Sequence, residues 1–359
     1  MQLLGPATVV VDDGVIQSIE RGDVPGSTDL GDVTLMPGLI DAHVHLAFGA
    51  APDVLASMEI DDEALLRRME ESAALQLAAG VTTVRDLGDR SFLATQVDTP
   101  LTVVASGPPI TTPKGHCWFL GGEAADLDAM LRAVHERAER GCGVVKVMVS
   151  GGNITPGNSP FEAQIRGSDL TAIVREAHAL GLQTAAHVHA PVSIAEALDA
   201  GFDTLEHATF MTPEGPAAPP EILARIVETG TVISATLGSN HLFPPPPAIA
   251  PFVAAVIANM SLLASRGARI VAGTDAGVGP GKPHGVLPTA LEQLIEAYDL
   301  TASLRVLTSE AAKAIGLEGT KGVLAKGADA DLLAVQGDPT RDLDAINHVV
   351  QVWARGVPV

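Results

Sequence analysis

One unit recurs along the middle of the chain: a helical stretch rich in alanine and leucine, a glycine, and then a short run of β-branched residues. Glycine at that point suits the left-handed residue that ends a helix, and the β-branched run suits a buried strand. Six such runs lie at residues 81–84, 144–149, 183–187, 202–207, 231–235 and 269–272. With residues 39–43 and 101–105 they make eight candidate strands, the number that a closed parallel barrel needs.

An open, doubly wound sheet is the alternative arrangement for alternating strands and helices. Its usual mark, a Gly-x-Gly-x-x-Gly turn after the first strand, is missing from the sequence. Polar residues instead recur at the carboxyl ends of the candidate strands, where barrel enzymes place their chemistry. The pattern therefore predicts an α/β fold, a (β/α)8 TIM-type barrel.

Both ends of the chain depart from this repeat, because short β-branched runs occur there without a long helix between them. Residues 7–20 contain two such runs around Asp12, Asp13 and Gly14, which predicts a hairpin. Further strands are expected at residues 322–333 and 348–354. We expect the two ends to pair with each other rather than to form a separate domain.

The composition agrees with this architecture and limits the function. Hydrophobic residues make up 47% of the 359 positions but aromatic residues only 3%, so Ala, Val, Leu and Ile must fill the core, as they do in α/β folds. The formal net charge of −21 repels phosphate backbones and anionic lipid. We therefore expect no nucleic acid and no membrane as a partner.

The two cysteines, Cys117 and Cys142, cannot form a disulfide framework, which fits a reducing compartment. The chain does not begin with a basic segment and a long apolar run, and its most apolar helix candidate, residues 252–264, is interrupted by Asn259 and Ser261. We therefore expect a cytoplasmic protein. The sequence leaves the oligomeric state open, a homo-oligomer included.

The strongest chemical signal follows the first barrel strand. Residues 36–46 read Met-Pro-Gly-Leu-Ile-Asp-Ala-His-Val-His-Leu, with His43 and His45 two residues apart. Residues i and i+2 of a strand share a face, so both imidazoles can reach one cation. A chance pair of surface histidines is the alternative, and the apolar run before the pair disfavours it.

Other strands carry polar residues at equivalent places. Lys146 is a single cation in the apolar fourth strand, either a lysine that reaches the barrel rim or a buried amine whose pKa desolvation lowers. The fifth, sixth and eighth strands end near His187 and His189, His207, and Asp275. Singly, each histidine is more often a core residue, and Asp275 could be a helix N-cap. Jointly, at matching strand ends, they indicate a metal site.

Residues 37–45, Pro-Gly-Leu-Ile-Asp-Ala-His-Val-His, resemble the first-strand signature of the amidohydrolase superfamily, metal-dependent hydrolases built on a (β/α)8 barrel. Three loops are similar to those of its imidazolonepropionase-like and prolidase-like branch of binuclear metal hydrolases: 107–118, 150–157 and 279–288. In the first of these loops Lys114, Cys117 and Trp118 replace smaller residues, which indicates a reshaped pocket.

The resemblance also implies the organisation of the domains. Residues 326–332, Lys-Gly-Ala-Asp-Ala-Asp-Leu, are similar to the superfamily's C-terminal motif. By this likeness, residues 1–35 and 319–359 form a small β-sandwich module beside a hydrolase barrel of residues 36–318.

By position, the resemblance implies two divalent cations with six ligands: His43, His45, carboxylated Lys146, His187, His207 and Asp275. It implies further that Asp275 passes the proton of a metal-bridging hydroxide to the departing amine, while His116 or His189 donates to the developing oxyanion. His189 and His284 could face the substrate. Zinc suits imidazole and carboxylate ligands, although manganese or iron could occupy the same set.

These features predict an amidohydrolase, dipeptidase-like, that cuts the amide bond of a peptide-like or N-acyl amino acid substrate. Three other reactions stay open: opening of a cyclic amide of the imidazolone type, deamination of a heterocycle, and trimming of a peptide natural product. A non-catalytic assembly protein is the alternative from another class. The presence of all six ligand types argues against it.

Overall fold

A computed structural model describes residues 5–247 and 249–359 of the chain. The strands, numbered in chain order, are β1 Ala7–Asp12, β2 Val15–Arg21, β3 Val33–Pro37, β4 Leu39–Val44, β5 Val81–Asp86, β6 Thr102–Ala105, β7 Val144–Met148, β8 Gln183–Val188, β9 Thr204–His207, β10 Met211–Thr212, β11 Gly215–Pro216, β12 Val232–Thr236, β13 Ile270–Gly273, β14 Leu332–Gln336, β15 Val349–Ala354 and β16 Val357–Pro358. The α-helices are α1 Val54–Ser57, α2 Asp62–Ala78, α3 Leu127–Glu139, α4 Ser168–Ala179, α5 Pro191–Ala200, α6 Pro220–Thr229, α7 Val253–Ser265, α8 Leu291–Leu294, α9 Leu300–Val306 and α10 Ser309–Ala314.

The barrel consists of the eight strands that the sequence predicts: β4, β5, β6, β7, β8, β9, β12 and β13. Their bounds differ from the prediction by no more than two residues. Neighbouring strands pair in parallel within two arcs, β4-β5-β6 and β7-β8-β9-β12-β13. Bridges from Ile110 to Val147 and from Val44 to Ala276 join the arcs. The α/β barrel prediction is therefore confirmed.

A buried carboxylate fastens the first barrel strand to the eighth. Asp41, with no exposed surface, accepts hydrogen bonds from the backbone N–H of Thr274 at 2.9 Å, from its hydroxyl at 2.6 Å, and from the backbone N–H of His43 at 3.2 Å. Burial raises the pKa of Asp41 to about 7, although these hydrogen bonds oppose the rise. Asp41 therefore fixes the strand end that carries His43 against the strand end that carries Asp275.

Asp41→Asn is expected to lower the free energy of unfolding by about 1–3 kcal/mol, the cost of a buried donor left without an acceptor. The amide has one acceptor oxygen, and its NH2 group would face the N–H and O–H donors of Thr274. Urea denaturation at pH 8 measures the change. The control, Asp12→Asn at the exposed end of β1, should stay within about half a kcal/mol of the parent. Equal stabilities of the two variants would contradict a fastening role.

The two chain ends pair, as the sequence predicts. The β1-β2 hairpin is antiparallel, and β14 pairs with β3 within the sheet β16-β15-β14-β3. Backbone hydrogen bonds from Ile16 to Ala328 and from Ala330 to Gly14 attach the hairpin to the C-terminal segment. Ile16, Ala330 and Leu332 form the buried apolar layer between them. The exact division into residues 1–35 with 319–359 and residues 36–318 stays a prediction.

Both cysteines, Cys117 and Cys142, are buried and unpaired. Within residues 5–247 and 249–359, no helix combines the length and the apolar character needed to cross a bilayer.

Candidate metal centre

The first ligand cluster consists of His43, His45 and Asp275 at the carboxyl ends of β4 and β13. The Nε2 atom of His43 lies 3.5 Å from Oδ1 of Asp275, and Nε2 of His45 lies 3.4 Å from the same oxygen. Both imidazoles are buried, whereas 18% of the Asp275 side chain is exposed. Asp275 turns into the barrel mouth with a left-handed backbone, φ +61°, a conformation that non-glycine residues adopt mostly at turns and functional sites.

Hydrogen bonds fix which nitrogen of each imidazole is free to bind metal. The Nδ1 atom of His43 lies 2.8 Å from Oε2 of Glu206, and Nδ1 of His45 lies 3.0 Å from the carbonyl oxygen of Gly88. Since an ionised carboxylate and a carbonyl only accept, each Nδ1 carries the proton and each Nε2 keeps its lone pair. The buried Nε2 of His43 has no hydrogen-bond partner among the described residues. This donor set fits a divalent cation.

The second cluster consists of His187, His189 and His207, whose candidate ligand atoms lie within 4.8 Å of one another. The Nε2 atom of His187 donates to the carbonyl oxygen of Gly151 at 3.1 Å, which leaves the lone pair on Nδ1. That Nδ1 lies 3.0 Å from Nε2 of His207. Two nitrogen ligands of a tetrahedral zinc ion are about 3.3 Å apart, so this pair also fits a cation.

His189 lies beside the other two imidazoles of the second cluster, which the sequence did not predict. Its ring stacks on that of His207 with centroids 4.8 Å apart, and its Nδ1 lies 2.9 Å from the hydroxyl of Thr209. The sequence assigned two histidines to this cation and kept His189 for the substrate. The structure brings three imidazoles together.

Lys146 projects from β7, where it is opposite Ala185 of β8, and only 1% of its surface is exposed. It therefore does not reach solvent at the barrel rim. Within the described part of the chain its ammonium forms no hydrogen bond and no ion pair. Burial, opposed by the charges of Glu206 and Asp275, lowers the pKa of Lys146 to about 8. A large fraction of the amine is therefore neutral in mildly alkaline solution.

The protonation states suit metal binding, which needs neutral imidazole and ionised carboxylate. Burial lowers the pKa of His43 and of His189 to about 4. Burial and neighbouring imidazoles hold the pKa of His187 and His207 well below the usual range. Burial alone would raise the pKa of Asp275, but the neighbouring His45, His43 and Lys146 side chains hold it far below its ordinary value.

His116 reaches the second cluster from the loop after β6. Its ring lies 4.7 Å from that of His187, and its Nδ1 has no partner among the described residues. Gly152 makes this approach possible, because a Cβ atom there would lie 2.4 Å from Nε2 of His116. Burial lowers the pKa of His116 to about 3, so the ring is neutral at pH 7.

His284 occupies a different kind of position. Its Nε2 donates to the carbonyl oxygen of Phe48 at 2.9 Å, and its Nδ1 lies 3.3 Å from the amide nitrogen of Gln76. Both ring nitrogens are engaged, so His284 ties the loop after β13 to α2 and to the loop after β4. Neither nitrogen is free for a substrate.

Sequence reasoning missed the charged residues behind the ligands. Arg85 and Glu206 are fully buried and form an ion pair of 2.8 Å. Burial would raise the pKa of Glu206, but the Arg85 guanidinium and the hydrogen bond with His43 hold it far below the usual range. The signal that singled out Lys146, a charge within an apolar barrel strand, also applies to both residues.

A family model described as "Amidohydrolase family" matches residues 34–359. Ochratoxinase of Aspergillus niger is 28% identical to this chain over 403 residues, which cover 98% of this chain and 82% of the relative. A solved structure described as a Xaa-Pro dipeptidase with bound methionine in the active site is 25% identical, with a TM-score of 0.84, and the match covers 98% of this chain and 94% of that one. A prolidase complexed with N-methylphosphonate-L-proline is 24% identical, with the same TM-score and coverage, and shows the same fold.

Proposed function

This chain belongs to the amidohydrolase family, and we propose that it hydrolyses the amide bond of a peptide-like or N-acyl amino acid substrate at a centre of two divalent cations. The family consists of hydrolases that typically use divalent metals, and its relatives here act on C–N bonds. The observation that carries the proposal is the pair of ligand clusters at the carboxyl end of one barrel. Hydrogen bonds to acceptor-only partners leave lone pairs on Nε2 of His43 and His45 in the first cluster and on Nδ1 of His187 in the second.

In this proposal His43 and His45 hold one cation, His187 and His207 hold the other, and Asp275 and carboxylated Lys146 complete the set. Zinc suits these ligands, and manganese or iron can occupy the same set. When bound, the cations would polarise the scissile carbonyl and lower the pKa of a bound water molecule.

Carboxylation of Lys146 requires the neutral amine that burial favours. The amine nitrogen forms a bond to the carbon of carbon dioxide, one C=O π bond breaks, and a proton leaves the nitrogen for solvent. The product is an anionic carbamate. Because Lys146 is buried and has no partner among the described residues, a carbamate there would gain metal ligation without losing an existing contact.

Asp275 is assigned the proton transfer. Its Oδ1 lies 3.5 Å and 3.4 Å from the Nε2 atoms of His43 and His45, and 18% of its side chain is exposed. An amine leaves poorly unless it is protonated, so a carboxylate that accepts a proton from the attacking water and delivers it to the amine lowers the barrier.

His116 and His189 are assigned to the substrate. Both imidazoles are neutral at pH 7 because burial lowers their pKa, and a neutral imidazole still carries one N–H donor. Aimed at the substrate carbonyl, such a donor stabilises the negative charge that develops on its oxygen.

The relatives support an amino acid as one part of the substrate. The Xaa-Pro dipeptidase structure is described with methionine in its active site, so that related pocket accepts a free amino acid. Ochratoxinase supports amide hydrolysis in a relative that covers nearly this whole chain. No single observation favours a cyclic amide, a heterocycle or a peptide natural product for this chain over these substrates.

A panel of dipeptides, N-acyl amino acids, lactams and aminoheterocycles tests the proposal, with amino acid release measured by mass spectrometry. We expect kcat/KM for dipeptides or N-acyl amino acids to exceed that for lactams by about 100-fold or more, a difference that pockets with polar contacts commonly reach. Turnover of lactams or aminoheterocycles alone would contradict it. Metal-loaded, folded protein without any turnover would instead favour the assembly protein.

A further inference from the structure

The buried pair of Glu206 and Arg85 lies directly behind the metal centre and connects three barrel strands. Arg85 on β5 donates from Nε to the carbonyl oxygen of Ala42 at 2.8 Å, from one terminal nitrogen to the hydroxyl of Thr204 at 3.1 Å, and from the other to Oε1 of Glu206 at 2.8 Å. Oε1 of Glu206 also accepts from the Thr204 hydroxyl, and Oε2 accepts from Nδ1 of His43. Both oxygens of the carboxylate are thus engaged by donors inside the barrel.

The partner of His43 differs in kind from the partners of the other imidazoles. Glu206 is an anion, whereas His45 and His187 donate to the carbonyl oxygens of Gly88 and Gly151. The Nδ1 atom of His207 meets the neutral hydroxyl of Thr236, at 3.2 Å. An anionic acceptor increases the basicity of the opposite ring nitrogen more than a neutral one does, and thereby strengthens its bond to a metal.

We propose that Glu206 is a positioning residue that holds His43 with its proton on Nδ1, and that it sets the affinity of one of the two cations, the one bound by His43, His45 and Asp275. Arg85 has the supporting role of orienting Glu206 through their 2.8 Å ion pair. The inference rests on the proposed two-cation centre for its effect on affinity. The proton position on His43, however, is a property of the protein without metal.

The geometry explains why a carboxylate is needed rather than an amide. In Glu206→Gln the amide oxygen can satisfy either Arg85 or His43, and its NH2 group then faces the other, which is also a donor. A buried donor without an acceptor is costly, so the His43 ring is expected to rotate or to move its proton to Nε2. Either change removes the lone pair from the cation.

Two variants separate this effect from a general loss of structure. Glu206→Gln removes the anionic acceptor of His43 in the first cluster, and Thr236→Val removes the hydroxyl partner of the Nδ1 atom of His207 in the second. We expect Glu206→Gln to lower the affinity for the cation bound by His43, His45 and Asp275 by about 10- to 100-fold, the usual effect of losing the outer partner of a ligand histidine. The affinity for the other cation should not change. Thr236→Val should lower only the affinity for the cation bound by His187 and His207.

The affinities are measured by competition with a chelator, and anomalous diffraction at limiting metal identifies the position that empties. Loss of metal confined to the His43 position supports the proposal, and equal loss of both cations, or no loss, overturns it.

Nitrogen-15 NMR of histidine-labelled, metal-free parent protein provides a second measurement that does not require a folded variant. A His43 signal with the proton on Nδ1 supports the assignment, and a proton on Nε2 overturns it even if two metals bind. Protein that binds no metal but has the Nδ1 proton would overturn the proposed function and the affinity claim while retaining the assigned proton position.

Discussion

Asp275→Asn should lose hydrolysis by about 100-fold or more, the lower range for acid–base groups, while the protein stays folded. Asparagine keeps an oxygen near His43 and His45 but cannot accept and deliver a proton. The loss should therefore appear in kcat with the best substrate of the panel, and metal content should be measured on the same samples. Loss of both metals would show that the substitution acts through ligation and would leave the proton acceptor unassigned.

Asp13→Asn is the matched control for this substitution. Asp13 is exposed in the β1-β2 turn and has φ +48°, so the same chemical change is made at another left-handed aspartate. Its activity should equal that of the parent. If Asp275→Asn keeps both metals and most of its activity, the carboxylate has a structural role and the base lies elsewhere.

Lys146→Ala should lose most hydrolysis and at least part of the bound metal. Alanine cannot form a carbamate, and β7, Val-Val-Lys-Val-Met, has no acidic residue that could supply an anionic oxygen instead. Because the missing group is a carboxylate at a fixed place, a short-chain carboxylic acid should enter the vacated space and restore part of the activity. Lys146→Glu should retain more metal than Lys146→Ala for the same reason.

Lys326→Ala, an exposed lysine outside the barrel mouth, is the control and should change stability by no more than about half a kcal/mol. Intact mass is a poor readout because carbamates revert on acidification, so bicarbonate-dependent reactivation of metal-stripped protein is the better assay. Lys146→Ala with full activity and both metals would show that the buried lysine only fills space. An unmodified Lys146 side chain beside two occupied cation sites would also refute carboxylation of Lys146.

The barrel was predictable because its signal is local. Six of the eight strands follow a glycine that ends a helix, as at Gly80 and Gly181, and both of these glycines have positive φ in the structure. The candidate ligands were predictable for a related reason. Successive side chains of a barrel strand alternate between the interior of the barrel and the surrounding helices. A polar residue at the carboxyl end of an apolar strand, such as His43, is therefore expected to face the mouth of the barrel.

The partners of those ligands were not predictable, because they depend on which distant strands face each other across the barrel. Glu206 is 163 residues from His43 and 121 residues from Arg85, and no spacing rule connects them. The roles of loop residues were also not predictable from the sequence. His284 looked like a substrate residue from its place in the loop after the eighth strand, yet its contacts with Phe48 and Gln76 engage both ring nitrogens.

The most direct test of the central claim is the number of divalent cations per folded chain, measured by elemental analysis and followed together with hydrolysis during chelation and reconstitution. The account predicts close to two cations per chain, loss of hydrolysis as they are removed, and recovery when they are restored. Full hydrolysis by metal-free protein would contradict it.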